Sequence, residues 1–307
     1  MKRFYKLHAG QVISVEEGEA QVVVLVSPGQ EEIDTLVKTY QIDDHTLNSA
    51  FDADELARME YEDEHTAIIY KRPKNYSAIE HFQFRVGSAG LFLFKDLLII
   101  VTDNLPPFAD KKIFSKLNSL KTLLLKLVNL SVVHFNEHLR VINRMCNELE
   151  EKHLSNLKKD EYLIVFGLSK SLVYYTNAIS SNETLLKKMQ ISRSLNFDEN
   201  EQELLDDIII ENSQSKRLTE IYSNVLSNMM SSHEASHESS ASGDISSLKI
   251  LTILTIVIMI PTAVASLFSM NVTYPFNVEN PITFWVIFIL MMGGTFAFWL
   301  WLNKKKM

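Results

Sequence analysis

Cysteine occurs once in the chain, at Cys146, so disulfides play no part in its fold. Glycine and proline are sparse, nine and seven in 307 residues. From Asp110 to the C-terminal apolar region they almost vanish, which leaves that stretch to long helices. An excess of basic charge is missing too. The formal net charge is −8, which argues against a nucleic-acid partner and is compatible with collecting cations. No glycine-rich phosphate loop and no Ser-His-Asp arrangement is visible. The opening residues MKRFYKLHAG are followed by no apolar core of signal-peptide length, so roughly the first 240 residues are expected to stay on the side of synthesis.

What the chain has instead is two apolar runs near its end. From Leu248 to Phe268 only Lys249 is charged. At about 1.5 Å per residue this run is as long as a bilayer's hydrocarbon core is thick. Ile282 to Leu302 is free of charge, with Trp285 near its start and Trp299 and Trp301 near its end, where indoles favour the headgroup region. About ten residues separate the runs, enough only for a turn at a membrane surface. A transmembrane helical hairpin is expected. Lys249 and the closing Lys304, Lys305 and Lys306 place both ends on the cytoplasmic side, and the loop, with no Lys or Arg, outside.

Thr252, Thr255, Thr262, Ser266 and Ser269 repeat at helical spacing with Met259 in the gap, so one stripe carries the hydroxyls of the first run. Two readings stand. The hydroxyls bond back to their own helix carbonyls or serve as small residues in helix packing. Alternatively they line a wetted pore, which two helices cannot enclose, so that reading requires an oligomer.

The first third reads as α/β. A β-branched strand, Gln21 to Val26, feeds a helix from Glu31 to Tyr40. Short segments at Thr66 to Tyr70, His81 to Val86, Leu91 to Phe94 and Leu97 to Val101 read as a meander. Between them the acidic stretches Phe51 to Glu55 and Glu60 to Glu64 fit a solvated helix face or a divalent-ion collection site. Beyond Pro106-Pro107 helical spacing covers Asp110 to Leu157, Glu161 to Ile179 and Glu183 to Gln190. After Asp198 a stalk-like helix points towards the first apolar run. Its serine-rich last part, Ser231 to Ser247, is either a frayed joint or a helix lining a wet cavity.

Within it His233-Glu234-Ala-Ser-His237 matches H-E-x-x-H, the zinc-peptidase pattern. A peptidase needs a third ligand and a buried cleft, for which the serine-rich flanks offer nothing. A solvated face, or a metal-sensing ring if His233, Glu234 and His237 repeat around a symmetric stalk, remain as readings.

Phe268-Ser269-Met270-Asn271 resembles the mark of the CorA family of divalent-cation channels, a Gly-Met-Asn triplet after an aromatic at the end of the first of two C-terminal membrane helices. Leu251-Thr252, Pro261-Thr262 and the stretch NVTYPFNVENPITFW are similar to the family's first helix, loop and second-helix start. Lys170 to Tyr174, Ser181-Asn182 and Leu204 to Glu211 are similar to stretches of Gram-positive members. The resemblance implies a homopentamer in the plasma membrane, with a funnel-shaped cytoplasmic domain and a pore lined by the first helix. It implies a filter at Ser269, Met270 and Asn271, with Asn271 receiving hydrated Mg²⁺. Thr255, Met259, Thr262 and Ser266 would line the path, Leu248 and Leu251 would form an apolar gate, and Glu234 would sense cytoplasmic Mg²⁺, joined by His233 and His237 if the metal-sensing ring read from the residues forms. Mg²⁺ or another divalent cation would be both cargo and regulator, with no other cofactor, no enzyme activity, and only lipid and further copies of the chain as partners. Two departures accompany it: serine replaces the triplet's glycine, and Ser242 to Ser247 replaces an Asn-rich segment, placing Ile245 where a polar ring is expected.

The expected fold is thus α+β. A cytoplasmic α/β domain (1–105) and a helical part (106–198) lead into a stalk helix (199–247). A first transmembrane pore helix (248–271), an external loop (272–281), a second transmembrane helix (282–302) and a basic tail (303–307) complete it. The expected function is Mg²⁺ uptake gated by cytoplasmic divalent ions. The alternatives are a Zn²⁺, Co²⁺ or Ni²⁺ transporter of the same fold and a non-conducting membrane sensor.

Overall fold

A computed structural model describes residues 1–75, 84–151, 159–270 and 281–304, with side chains omitted at 151, 159, 160, 233–247, 249, 250, 260, 268, 298, 299 and 301–304. Two compact units divide the chain, Met1–His233 and Glu234–Met307.

The first unit is built on strands β1 (Lys2–His8), β2 (Gln11–Ser14), β3 (Val22–Val26), β4 (Arg58–Tyr61), β5 (Thr66–Pro73), β6 (Val86–Leu93) and β7 (Leu98–Thr102). They form one sheet in the order β2-β1-β3-β7-β6-β5-β4. β3 pairs parallel with β7 in the register Val22↔Leu98, and the other pairs are antiparallel. The β1–β2 hairpin turns through Ala9 and Gly10, both at positive φ (48° and 75°), as a two-residue hairpin with native twist requires.

Side chains alternate across a strand, and here both faces are covered. Val22 and Val24 of β3 join Ile68, Leu91 and Ile100 against the helix α3 (Leu120–Glu151), through Leu124 and Val128. Val23 and Leu25 join Ile69, Phe92 and Ile99 against α1 (Gln30–Tyr40) and α2 (Asp44–Ser49), through Leu36 and Leu47. This two-sided burial explains why β3 is an unbroken apolar run. A further core is mainly helical: Phe135, Leu139 and Ile142 of α3 meet Leu168, Leu172 and Tyr175 of α4 (Lys159–Gln190) and Leu226 and Met229 of α5 (Glu199–Phe268), with Phe84 from the segment before β6. The start of α5 is set by a reciprocal cap: Glu201 N–H donates to Asp198 Oδ1 at 2.8 Å and Asp198 N–H to Glu201 Oε2 at 3.0 Å.

Several sequence expectations change. β1, β2 and β4 were not anticipated, and the acidic stretches are not helical: Glu60 lies in β4, where Thr46 Oγ1 and Arg58 Nε donate to it at 2.8 and 2.7 Å. The helix expected from Asp110 starts at Leu120, because Asp110 captures local amides, Lys116 sits at positive φ, and Ser119 caps the helix by accepting from Thr122 N–H at 3.0 Å. The expected strand from His81 begins at Val86; His81 to Gln83 lie outside the described residues. The helix expected to pause between Ile179 and Glu183 is continuous as α4. Its polar Ser181 and Asn182 point to the sheet instead: Ser181 Oγ accepts from Ala57 N–H at 2.6 Å, and Asn182 bonds both backbone groups of Lys71.

The second unit holds the end of α5 and the helix α6 (Pro281–Lys304). Proline at the first position of α6 forfeits no helical hydrogen bond. The backbone from Ser231 to Ser247 is helical, as part of α5. Among the described residues no helix is long and apolar enough to cross a membrane.

Candidate functional site

A helix turns about 100° per residue, so Leu248, Leu251, Thr255, Met259, Thr262 and Ser266 of α5 share one face. All but Leu248 border a single groove along that face. Leu248, Leu251 and Met259 are 62%, 59% and 65% exposed, apolar side chains that their own chain leaves uncovered.

The hydroxyls are spent locally. Thr252 Oγ1 donates to Leu248 O and Thr255 Oγ1 to Leu251 O, both at 2.8 Å; Thr262 Oγ1 donates to Ile258 O at 2.9 Å. Within one chain, then, the back-bonded reading of the stripe holds. The pore reading stays compatible with it, because a hydroxyl has one proton and two lone pairs. With the proton committed to the helix, Thr255 and Thr262 offer only acceptor oxygen outward. That polarity suits the shell of a hydrated cation, whose water protons point away from the ion.

Ser269 and Met270 follow the helix end, and Asn271 lies outside the described residues. Ser269 borders a crevice of about 380 Å³ between α5 and α6, with Val264 and Ala265 on one side and Thr283, Phe284 and Ile287 on the other. None of the residues on the Thr255 face lines that crevice. Sequence reasoning missed this crevice and the part of Thr283; the signal was a hydroxyl two residues into an otherwise apolar helix start. His233, Glu234 and His237 lie on α5, with their side chains outside the described residues. Among the described residues no group of three or more His, Cys, Asp or Glu is placed to hold a metal, the stretches at 51–55 and 60–64 included.

Another unanticipated cluster lies in the helical core. His138 Nδ1 and Tyr175 Oη are hydrogen-bonded at 2.5 Å, with the His134 ring 4.4 Å from that of His138. Burial, with His134 adding to it, pushes His138 from its ordinary 6.5 down to about 4. The unfolded chain therefore binds the proton first as pH falls. Stability is full above about pH 6.5 and declines towards pH 4, by on the order of 3 kcal/mol from this group. His138→Gln, which keeps a hydrogen-bonding group but does not titrate, should flatten the fall in urea midpoint between pH 7 and 4.5. An equally steep fall in the variant would assign the loss to other groups.

Three comparisons bear on this arrangement. The cobalt/magnesium transport protein CorA of Methanocaldococcus jannaschii is 24% identical over 295 residues, covering 91% of this chain and 89% of that protein. The solved structure of the complete CorA magnesium transporter from the same organism matches with a TM-score of 0.75 at 22% identity, over 97% of this chain and 95% of that one. The full-length CmaX protein matches with a TM-score of 0.76 at 12% identity, over 99% and 96%. The fold is that of these proteins, an α/β domain followed by long helices. A family model described as CorA-like Mg²⁺ transporter protein matches residues 21–305, and the chain belongs to that family.

Proposed function

We propose that the chain forms a divalent-cation channel or transporter, with Mg²⁺ uptake as its principal activity. Copies of α5, five in the pentamer, turn the Thr255–Met259–Thr262–Ser266 face to a common axis. The observation that carries this reading is that face itself: uncovered, charge-free, and with its threonine protons turned inward to the helix. Ile250 to Phe268 contains no charged residue, and at ~1.5 Å per residue it reaches about 28 Å, close to the thickness of the hydrocarbon core. α6 completes the hairpin. Its Ile289 and Leu290, 65% and 70% exposed, fit a lipid-facing surface, with both chain termini cytoplasmic.

Asn271 receives the hydrated ion, with Ser269 and Met270 setting the mouth. Neutral acceptors bind the water shell without stripping an ion that dehydrates reluctantly. Rings of Leu248 and Leu251 close the path by dewetting. His233, Glu234 and His237 on α5 are the regulatory candidates. The reading involves no catalysis.

The test is influx into lipid vesicles holding the purified protein and an internal Mg²⁺ indicator. Mg²⁺ should enter faster than into protein-free vesicles, and external Co²⁺ should slow it by sharing the path, a competition favoured by the cobalt in the name of the archaeal relative. Faster entry of Zn²⁺ or Ni²⁺ than of Mg²⁺ would move the transition-metal reading to first place. No influx of any of these ions would leave the non-conducting sensor.

A further inference from the structure

We infer that Ser269 is a positioning residue of the ion mouth, one whose hydroxyl ends the pore helix where glycine would end it by backbone freedom; this rests on the transport reading above. Helices commonly stop on a residue in the left-handed conformation, usually glycine, which brings amide donors back onto the last carbonyls. Ser269 stops α5 differently. The non-glycine residues at positive φ among the described residues are Ala9, Ser27, Gln41, Lys116 and Asn196, and Ser269 is not one of them. Instead the last turn tightens. Ser269 N–H is shared between Ala265 O and Ser266 O at 3.2 Å each, and Met270 N–H donates to Leu267 O at 3.3 Å. Ser269 Oγ donates to Ser266 O at 2.8 Å.

A helix leaves its last four carbonyls without helical donors. Here Ala265, Ser266 and Leu267 are supplied by two consecutive residues, Ser269 and Met270, and the side chain of Ser269 provides one of those donors. Ser266 O receives only a shared Ser269 N–H and takes the hydroxyl as its second donor; at the edge of an apolar layer a poorly supplied carbonyl is expensive, so the hydroxyl reinforces the turn by which the chain leaves the helix. The residue thus directed is Met270, the next member of the triplet, whose N–H is held on Leu267 O at 3.3 Å. The side chain also stays clear of the path: Ser269 borders the crevice with Thr283 and Phe284 of α6, and the groove along the Thr255 face does not include it. Serine in the triplet is therefore a working substitute that leaves the pore face unobstructed.

The experiment compares wild type, Ser269→Ala, Ser269→Thr and Ser269→Gly as full-length protein in lipid vesicles, reading Mg²⁺ influx against external Mg²⁺, with amide hydrogen exchange across 266–270 on the same samples. Loss of one such bond predicts roughly a 3- to 10-fold faster exchange in Ser269→Ala, and a rise of similar factor in the half-saturating Mg²⁺ concentration with little change in maximal flux. Ser269→Thr keeps the donor, has the crevice for its methyl group, and should stay close to wild type in both. Ser269→Gly loses the donor but regains the backbone freedom by which glycine ends a helix, so its flux should stay close to wild type while its exchange rises. Wild-type behaviour of Ser269→Ala, impairment of Ser269→Thr equal to that of Ser269→Ala, or flux in Ser269→Gly above wild type would each overturn the inference. A wild type without influx would sink the transport reading instead, and the exchange comparison alone would then decide the role of the hydroxyl.

Discussion

Asn271→Ala should reduce Mg²⁺ influx into vesicles to the leak of protein-free controls. A hydrogen bond to a charged group is worth about 1.5 to 3 kcal/mol, and the proposed ring of carboxamides would make several to one hydrated ion. Losing all of them removes far more than the ~1.4 kcal/mol that corresponds to a tenfold change. In the proposed pore the threonines lie deeper than Asn271 and are not placed to replace them at the mouth. Asn271→Gln keeps the carboxamide one methylene further out and should retain part of the flux with a raised half-saturation. Flux in Asn271→Ala indistinguishable from wild type would move the entry elsewhere and remove the triplet from the proposal.

The second large effect is on stability and sits in the first unit. Asn182→Ala should lower unfolding stability by about 2 to 4 kcal/mol. β4 is a short edge strand whose pairing with β5 ends at Arg58↔Ile69, so Lys71 has no strand neighbour on that side. Asn182, 0% exposed on α4, supplies the missing partner: its Oδ1 accepts from Lys71 N–H and its Nδ2 donates to Lys71 O, both at 2.8 Å. One side chain thus stands in for the missing continuation of β4 and docks α4 on the sheet. Alanine leaves a buried amide without acceptor and an empty space beside it. The check is a thermal melt of the full-length protein followed by far-ultraviolet circular dichroism, with Asn182→Asp as companion; it keeps the acceptor for Lys71 N–H but turns a buried carboxylate oxygen on Lys71 O, and should lose at least as much. A melting midpoint unchanged in Asn182→Ala would mean that water or Ser131, which already donates to Lys71 O at 2.6 Å, takes over the bond.

The parts of the fold that were legible in the sequence are those that repeat. The strand Val22 to Val26, the meander ending in β7, the long helices and the shared face of the hydroxyls are periodic signals, and each depends on residues near in the chain. What escaped depends on distant partners. Ser181 and Asn182 look like helix breakers until Ala57 and Lys71 arrive to receive them. Glu60 reads as one acid among many until Thr46 and Arg58 make it part of a strand edge. β1 and β2 are mixed in polarity and held by pairing, β1 to β3 and β2 to β1. At the candidate site, the residue types were visible in sequence, but the direction of each hydroxyl proton and the crevice beside Ser269 follow only from the helix ends in space.

The parallel pairing of β3 with β7 has a consequence for synthesis. Val22 and its register partner Leu98 are separated by 76 positions. At ~5 to 20 residues per second a ribosome takes roughly 4 to 15 s to deliver that partner. During this interval β1 can already occupy one edge of β3, while the other edge presents Val-Val-Val-Leu-Val with no strand beside it. Such a segment invites pairing with another nascent chain. The order of the sheet thus creates a brief dependence on holding chaperones, set by topology alone, and polysomes crowded with this message would be where aggregation begins.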